Sequence, residues 1–305
     1  MSGPHAIGVD VGGTKILAGI VDREGDVARR EERPTPVSSQ DELLGEVEAV
    51  VEALLDDDVA ALGFGLPSTI DQRTGRAVSS VHIPLAGVDF RDRMAERFQL
   101  PVAIDNDANA AAIAEWQLGA GRGASDIVAL TLGTGIGGGL ILAGKPYRGS
   151  MGAGAELGHM VLDYGGVPCG PGCSGHGHFE ALAAGPAAKR AAVHRFGPGA
   201  DSHRLVDAAR AGDLGALEDL HEIGRRLGAG IASLVNIFNP ELVVIGGGFA
   251  RALDLILDSA LETLAIEALP PGRDLVRIVP ARFGPEAGMI GAALVGFEAL
   301  DAASA

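Results

Sequence analysis

Cysteine is nearly absent. Two thiols, Cys169 and Cys173, in 305 residues exclude the disulfide framework of a small secreted domain. Cationic side chains are scarce too: 24 Lys and Arg stand against 40 Asp and Glu, a formal charge of −16. Nucleic-acid binders and polybasic membrane-surface proteins both need clustered cations, so neither nucleic acid nor a membrane is an expected partner. Residues 1–5 have neither the basic nor the apolar region of a secretory signal, and a cytoplasmic location is expected. The longest uncharged run, residues 127–144, has 18 residues, close to the length of a membrane span. Six of them are Gly, and Thr131 and Thr134 interrupt the run. It reads as a buried strand, turn and strand. No low-complexity tail or short-period repeat is present.

Glycine is the residue in excess, at 46 positions where about 7% is usual, and hydrophobic residues reach 47%. The glycines have no Gly-X-Y period; they cluster. The length allows one large domain or two of about 150 residues, with ample apolar material for a core.

Apolar runs at residues 6–10 and 16–21, with a third candidate strand at 27–33, separated by Gly- and Asp-rich turns, predict an opening antiparallel meander. A helix is predicted over 40–55, capped by Ser39, then a strand at 61–66, a helix at 89–98, a strand at 102–104 and a helix at 107–118. Gly119, Gly121 and Gly123 stop that helix and mark the expected domain boundary. The opening device then recurs as apolar 127–132, a Gly133-Thr134-Gly135 turn and apolar 138–142. Two similar halves imply a cleft, the usual place for a ligand. Helices over 214–238, 251–268 and 285–299, with strands at 242–245 and 275–279, complete the reading.

Glycine clusters follow apolar strands three times: at Gly12-Gly13, over 133–139, and at Gly246-Gly247-Gly248. Main chain without a Cβ can approach a phosphate closely, and successive N–H groups cradle an anion. Thr14 and Thr134 add hydroxyls and Lys15 a cation. Two better-known phosphate motifs fail. Gly133, Gly135 and Gly138 fit G-x-G-x-x-G, but strand-like Leu140-Ile141-Leu142 follows where a helix is required. Residues 139–145 fit G-x-x-x-x-G-K, but Pro146 stands where Ser or Thr must hold magnesium.

Asp105-Asn106-Asp107-Ala108-Asn109 lies where a strand ends and a helix begins, at the edge where α/β ligand sites form. A carboxylate there can take a proton from a substrate hydroxyl. Asp and Asn are also favoured helix caps, though one cap needs one residue. Further on, Cys169, Cys173, His178 and the earlier His159 offer four ligands suited to tetrahedral structural zinc. His176 competes as a ligand. A Cys169–Cys173 disulfide or a plain glycine-rich loop are the alternatives.

In this order and spacing the residues resemble the ROK (repressor, open reading frame, kinase) family of sugar kinases, over nearly the whole chain. The resemblance implies an α/β fold of the duplicated actin-like/hexokinase-like (ribonuclease H-like) type, with two domains flanking a cleft. The small domain would span 1–118, completed by the helix at 287–305, and the large one 119–286. Asp10, Gly12, Gly13, Thr14 and Lys15 look like the first phosphate motif. Gly133, Thr134, Gly135 and Gly137 look like the second, and Gly247 and Gly248 like the adenosine-side motif. Asn106 matches the sugar-binding Asn and Asp107 the catalytic base; Glu156, His159 and Glu180 match sugar contacts.

The family's usual zinc pattern is altered, because Pro171 replaces a Cys; a variant using His159, Cys169, Cys173 and His178 fits better. The sugar loop also departs, reading Gly65-Leu66-Pro67-Ser68-Thr69-Ile70-Asp71, with Gly65 and Ser68 on the sugar side and His82 in place of a common Asn. The implied activity is ATP- and Mg2+-dependent phosphorylation of a hexose, glucose foremost. Fructose, mannose, allose, N-acetylhexosamines and a polyphosphate donor are the alternatives. The implied partners are hexose, nucleotide and copies of the same chain, as a homodimer or homotetramer. A sugar-sensing regulator lacking a DNA-binding domain is the non-enzyme alternative. Family repressors carry an N-terminal helix-turn-helix, whereas the first strand here is expected within about five residues of the start.

Overall fold

The computed structural model describes residues 3–81 and 83–304; His82 lies outside the described residues. The strands are β1 (His5–Val11), β2 (Lys15–Val21), β3 (Val27–Pro34), β4 (Val59–Leu66), β5 (Ser68–Asp71), β6 (Arg76–Ser80), β7 (Val102–Asn106), β8 (Ile127–Leu132), β9 (Ile136–Leu142), β10 (Lys145–Pro146), β11 (Pro168–Gly170), β12 (Cys173–His176), β13 (Leu242–Gly246) and β14 (Arg277–Pro280). The helices are α1 (Gln40–Leu54), α2 (Phe90–Phe98), α3 (Asp107–Gln117), α4 (Phe179–Ala183), α5 (Gly185–Phe196), α6 (Ser202–Arg210), α7 (Leu214–Phe238), α8 (Leu253–Glu267), α9 (Gly272–Leu275) and α10 (Ala287–Ser304).

Two compact units result. The first is Met1–Gly123 with Gly139–Ala155 and Arg282–Ala305; the second is Ala124–Gly138 with Glu156–Ala281. Relative to the division expected from sequence, residues 139–155 join the first unit. They are tied there by Gln72 N donating to Met151 O at 2.8 Å and by an Arg148–Asp105 ion pair at 2.6 Å.

In the first unit the sheet runs β3-β2-β1-β4-β7. Its first three strands are an antiparallel meander, and β1, β4 and β7 are parallel. Alternation sorts the side chains. Ile7, Val9 and Val11, with Leu62, Phe64 and Leu66, share one core with the buried stripe of α1 (Leu43, Leu44, Val47, Val50, Val51 and Leu54). That stripe has helical spacing, and Ser39 caps it by accepting from Glu42 N. Ala6 and Ala61 face the other way, into a core with Ile113 and Ala114 of α3 and Met289, Ala293 and Phe297 of α10. Gly8 and Gly63 lie on this second face. A Cβ there would come within 2.0 Å of Met289 O and 1.7 Å of Ala292 O. Their lack of a side chain lets the α10 backbone rest directly on the sheet. Gly284–Ser304 is also the one helical stretch, among the described residues, long and apolar enough to cross a membrane; 61% of its most apolar window is buried, as befits a core helix.

The second sheet has the order β10-β9-β8-β13-β14, with β13 parallel to both β8 and β14. Residues 127–142 therefore form strand, turn and strand, and β9 stands where a dinucleotide fingerprint needs a helix. In the second unit α7 ends at Asn239, in the left-handed conformation with φ 46°, before Pro240. The β5–β6 hairpin, strand β10, the β11–β12 hairpin, helices α4 to α6 and the helical turn α9 were not predicted; α9 takes Leu275 out of its expected strand.

Candidate active site

In the first unit Asp10, Gly65 and Asp105 pair across β1, β4 and β7 and form one row near the strand ends. All three belong to the face covered by α10 and α3. A Cβ on Gly288 of α10 would fall 2.5 Å from Asp10 Oδ2, and one on Gly65 would fall 3.5 Å from Asp107 Cα and 3.8 Å from Asp10 Oδ1. Burial first, and the Asp107 charge second, push the Asp10 carboxyl up to about 7, with Lys15 opposing. The β1–β2 turn is closed by Gly12 N donating to Lys15 O at 2.9 Å. Gly13 and Thr14 are exposed at its tip, and Lys15 Nζ bonds Glu32 Oε2 at 2.7 Å on the neighbouring strand.

Asn106 is the N-cap of α3: its Oδ1 accepts from Ala108 N at 3.0 Å and Asn109 N at 3.2 Å. The capping and ligand readings of this residue are compatible, because the cap uses only the oxygen of the amide. Asp107 opens the helix, with Oδ1 accepting from Ala108 N at 2.9 Å. Ser68 begins β5; it is buried and its Oγ has no hydrogen-bond partner.

In the second unit the β8–β9 turn is closed by Gly133 N donating to Gly135 O at 2.9 Å, with Thr134 exposed. Glu180 reaches this turn from α4, its Oε2 accepting from Ile136 N at 3.2 Å. Phe179, fully buried against Gly230 of α7, anchors that helix. Gly247 follows β13 with φ 89°, and a Cβ there would meet Leu132 O at 2.3 Å, so the loop into Gly248 can pass β8 only as glycine. Glu156 is exposed, just before the short turn Leu157–His159.

The loop bearing β11 and β12 brings His159, Cys169, Cys173 and His178 together, with donor atoms all within 4.8 Å of one another. His159 Nδ1 is 3.2 Å from His178 Nδ1 and 3.6 Å from Cys169 Sγ; Cys173 Sγ is 3.6 Å from His178 Nδ1. Tetrahedral zinc with bonds of about 2.0 Å to nitrogen and 2.3 Å to sulfur requires edges of about 3.3 Å (N–N) and 3.6 Å (N–S). The observed spacings match those edges, so the donor set fits the ion. Both cysteines are free thiols, and exposed His176 is not among the converging ligands. Burial and the neighbouring Glu180 and Cys173 raise the Cys169 thiol well above its ordinary value. Its Sγ donates to Glu180 Oε1 at 3.0 Å, which links the Cys/His cluster to the glycine turn through one carboxylate.

Sequence reasoning missed Arg148 and the part played by Asp105. Asp105 was visible as a surplus polar residue beside a cap. Arg148, in a loop 43 residues away, carried no signal.

Residues 6–297 match the model of the ROK family. A glucokinase of Thermotoga maritima is 35% identical over 306 residues, covering 95% of this chain and 96% of the relative. Among solved structures, a ROK family glucokinase of Streptomyces griseus in complex with glucose and AMPPNP is 33% identical with a TM-score of 0.84, covering 96% of this chain and 99% of that one. The ROK hexokinase of Thermus thermophilus is 36% identical with a TM-score of 0.83, covering 99% and 100%.

Proposed function

The chain belongs to the ROK family, and from that premise we propose that it is an ATP-dependent sugar kinase whose foremost acceptor is O6 of glucose. The observation that carries the reading is Asp107, a carboxylate at the first turn of α3 beside a second, buried carboxylate, Asp10. Phosphoryl transfer passes through a loose transition state, so positioning and charge neutralisation outweigh strong base catalysis. Asp107 orients the acceptor hydroxyl and takes its proton as the new O–P bond forms. The bond to the leaving nucleotide oxygen breaks, and that oxygen keeps the electron pair. Asn106, Gly65, Ser68, Glu156, His159 and Glu180 hold the sugar. The orphaned Ser68 hydroxyl and the amide nitrogen of Asn106, unused by its cap, favour this assignment.

Gly12, Gly13, Thr14, Lys15, Gly133, Thr134, Gly135, Gly137, Gly247 and Gly248 hold the nucleotide through main-chain N–H groups and hydroxyls. Asp10 fits Mg2+: it offers hard oxygen ligands, and a divalent cation would offset the cost of keeping its buried carboxylate charged. When bound, the ion neutralises phosphate charge. His159, Cys169, Cys173 and His178 would hold structural zinc and order a glycine-rich loop. His159 keeps its second ring nitrogen for a sugar hydroxyl. We place the enzyme in the cytoplasm, as a homodimer or homotetramer, with a small domain near 1–118 completed by α10.

The departures in the loop from Gly65 to Asp71 lie on the sugar side. The deciding experiment is therefore a coupled assay of glucose, fructose, mannose, allose, N-acetylglucosamine and N-acetylmannosamine, each with ATP and with polyphosphate. Glucose with ATP should give the highest kcat/KM. No turnover of any sugar with either donor would overturn the kinase reading in favour of a sensor.

A further inference from the structure

Asp105 is 1% exposed at the end of β7, two residues before Asp107. Isolated burial of a carboxylate is costly, and its charge persists only when paired and fully hydrogen-bonded. Both oxygens are engaged. Oδ1 accepts from Asn106 N at 2.8 Å, Asn109 Nδ2 at 3.1 Å and Gln72 Nε2 at 3.4 Å; Oδ2 accepts from Arg148 Nε at 2.6 Å. Two of these donors, Asn106 N and Asn109 Nδ2, flank Asp107. The other two come from separate parts of the unit, and their segments are joined by Gln72 N donating to Met151 O at 2.8 Å. Arg148 also reaches toward Glu298 of α10, with Nη2 3.9 Å from Oε2.

We propose that the Arg148–Asp105 ion pair is a positioning device for the proposed base, holding the β7–α3 junction so that Asn106 and Asp107 meet the acceptor hydroxyl in one fixed geometry. This rests on the kinase reading above. Asp105 does not touch substrate; it acts through the Asn106 N–H and the first turn of α3. Arg148 acts one step further out, by holding Asp105 in place through the 2.6 Å contact to its Oδ2. A geometry error of about 1 Å at a reacting group costs about a hundredfold in rate, so the pair should govern kcat far more than nucleotide binding.

The test is a double-mutant cycle in the full-length protein, with kcat, KM for ATP and KM for glucose measured separately. Arg148→Met should lower kcat at least about tenfold while KM for ATP stays within about threefold, because an unpaired buried carboxylate pulls the junction out of place. Adding Asp105→Asn to that variant should recover at least about threefold of kcat, since the neutral amide no longer needs the cation. An Arg148→Met enzyme with wild-type kcat, or losses that simply multiply in the double variant, would overturn the proposal. If Arg148→Met alone does not fold, Asp105→Asn is compared with and without Arg148→Met. Equal kcat supports the pairing, and a further tenfold loss overturns it. A wild-type chain that phosphorylates no sugar ends the kinase reading itself, and this inference with it, so the two failures are told apart by the parent protein.

Discussion

The two glycine turns, β1–β2 and β8–β9, are built alike and supported differently. Each closes with a glycine N–H on a nearby carbonyl at 2.9 Å and exposes a Thr at its tip. The first carries its own acid. Asp10 is the penultimate residue of β1 and is set against α10 by the sheet core. The second has Thr131 before Leu132 and its turn, and imports an acid instead: Glu180, from a helix 44 residues further along the chain. The first turn inherits its order from a hydrophobic core. The second depends on α4 and on the Cys/His loop joined to it through the Cys169–Glu180 bond. One motif in sequence thus has two kinds of support, and the support decides what each turn is sensitive to.

The largest expected contrast tests the chemistry assigned to the first unit. Asp107→Asn should lower kcat by at least about a thousandfold with ATP affinity nearly unchanged, measured by the coupled assay and by nucleotide titration. Retained turnover would remove the base assignment.

The buried acid of the first turn has a pH signature. The folded pKa of Asp10, about 7, lies above its ordinary value of 3.8, so the folded protein holds a proton that the unfolded chain releases. Its contribution to stability is therefore fully present below about pH 4 and is lost as pH rises through 7. The slope reaches about 1.4 kcal/mol per pH unit between those limits. Asp10→Asn should flatten that part of the ligand-free stability curve, read from urea midpoints at pH 5, 6 and 7. An unchanged slope would show that Asp10 is not buried as described.

For the second turn the sensitive element is the loop. Zinc analysis should return about one ion per chain, and Cys169→Ser should lower that content and weaken glucose binding about tenfold by freeing the loop. Unaltered glucose affinity with zinc lost would uncouple loop from site. The smallest effect compares like with like. Thr14→Val and Thr134→Val should each raise KM for ATP about fivefold, the worth of one hydrogen bond, and unequal losses would rank the turns as phosphate contacts.

Much of this arrangement was legible because it is local. Short apolar runs give β1 and β2, the Ser39 cap and its six-position buried stripe give α1, and Asn239-Pro240 ends α7 where expected. Asp10, Asp107 and the glycine strings stood out for the same reason: their meaning lies in their immediate neighbours. The β5–β6 hairpin and helices α4 to α6 were not legible. They are short segments of 4 to 12 residues, and their residues are placed by packing, as Phe179 is against α7. The choice of His178 over His176 was open in sequence, because spacing permits both. The reversal of the chain through β12 decides it, leaving His176 exposed and carrying His178 toward the thiols.

By itself, then, the order of residues determined which segments become strands and helices and which side chains stand at their ends, because periodicity, caps and glycine turns act within a few residues. Only the tertiary structure decided that Arg148 neutralises Asp105, that Glu180 serves both the Cys/His loop and the β8–β9 turn, and that residues 139–155 pack with the first unit. Those outcomes depend on burying charge and main-chain polar groups against partners tens of residues away, and no local pattern records which partner is near.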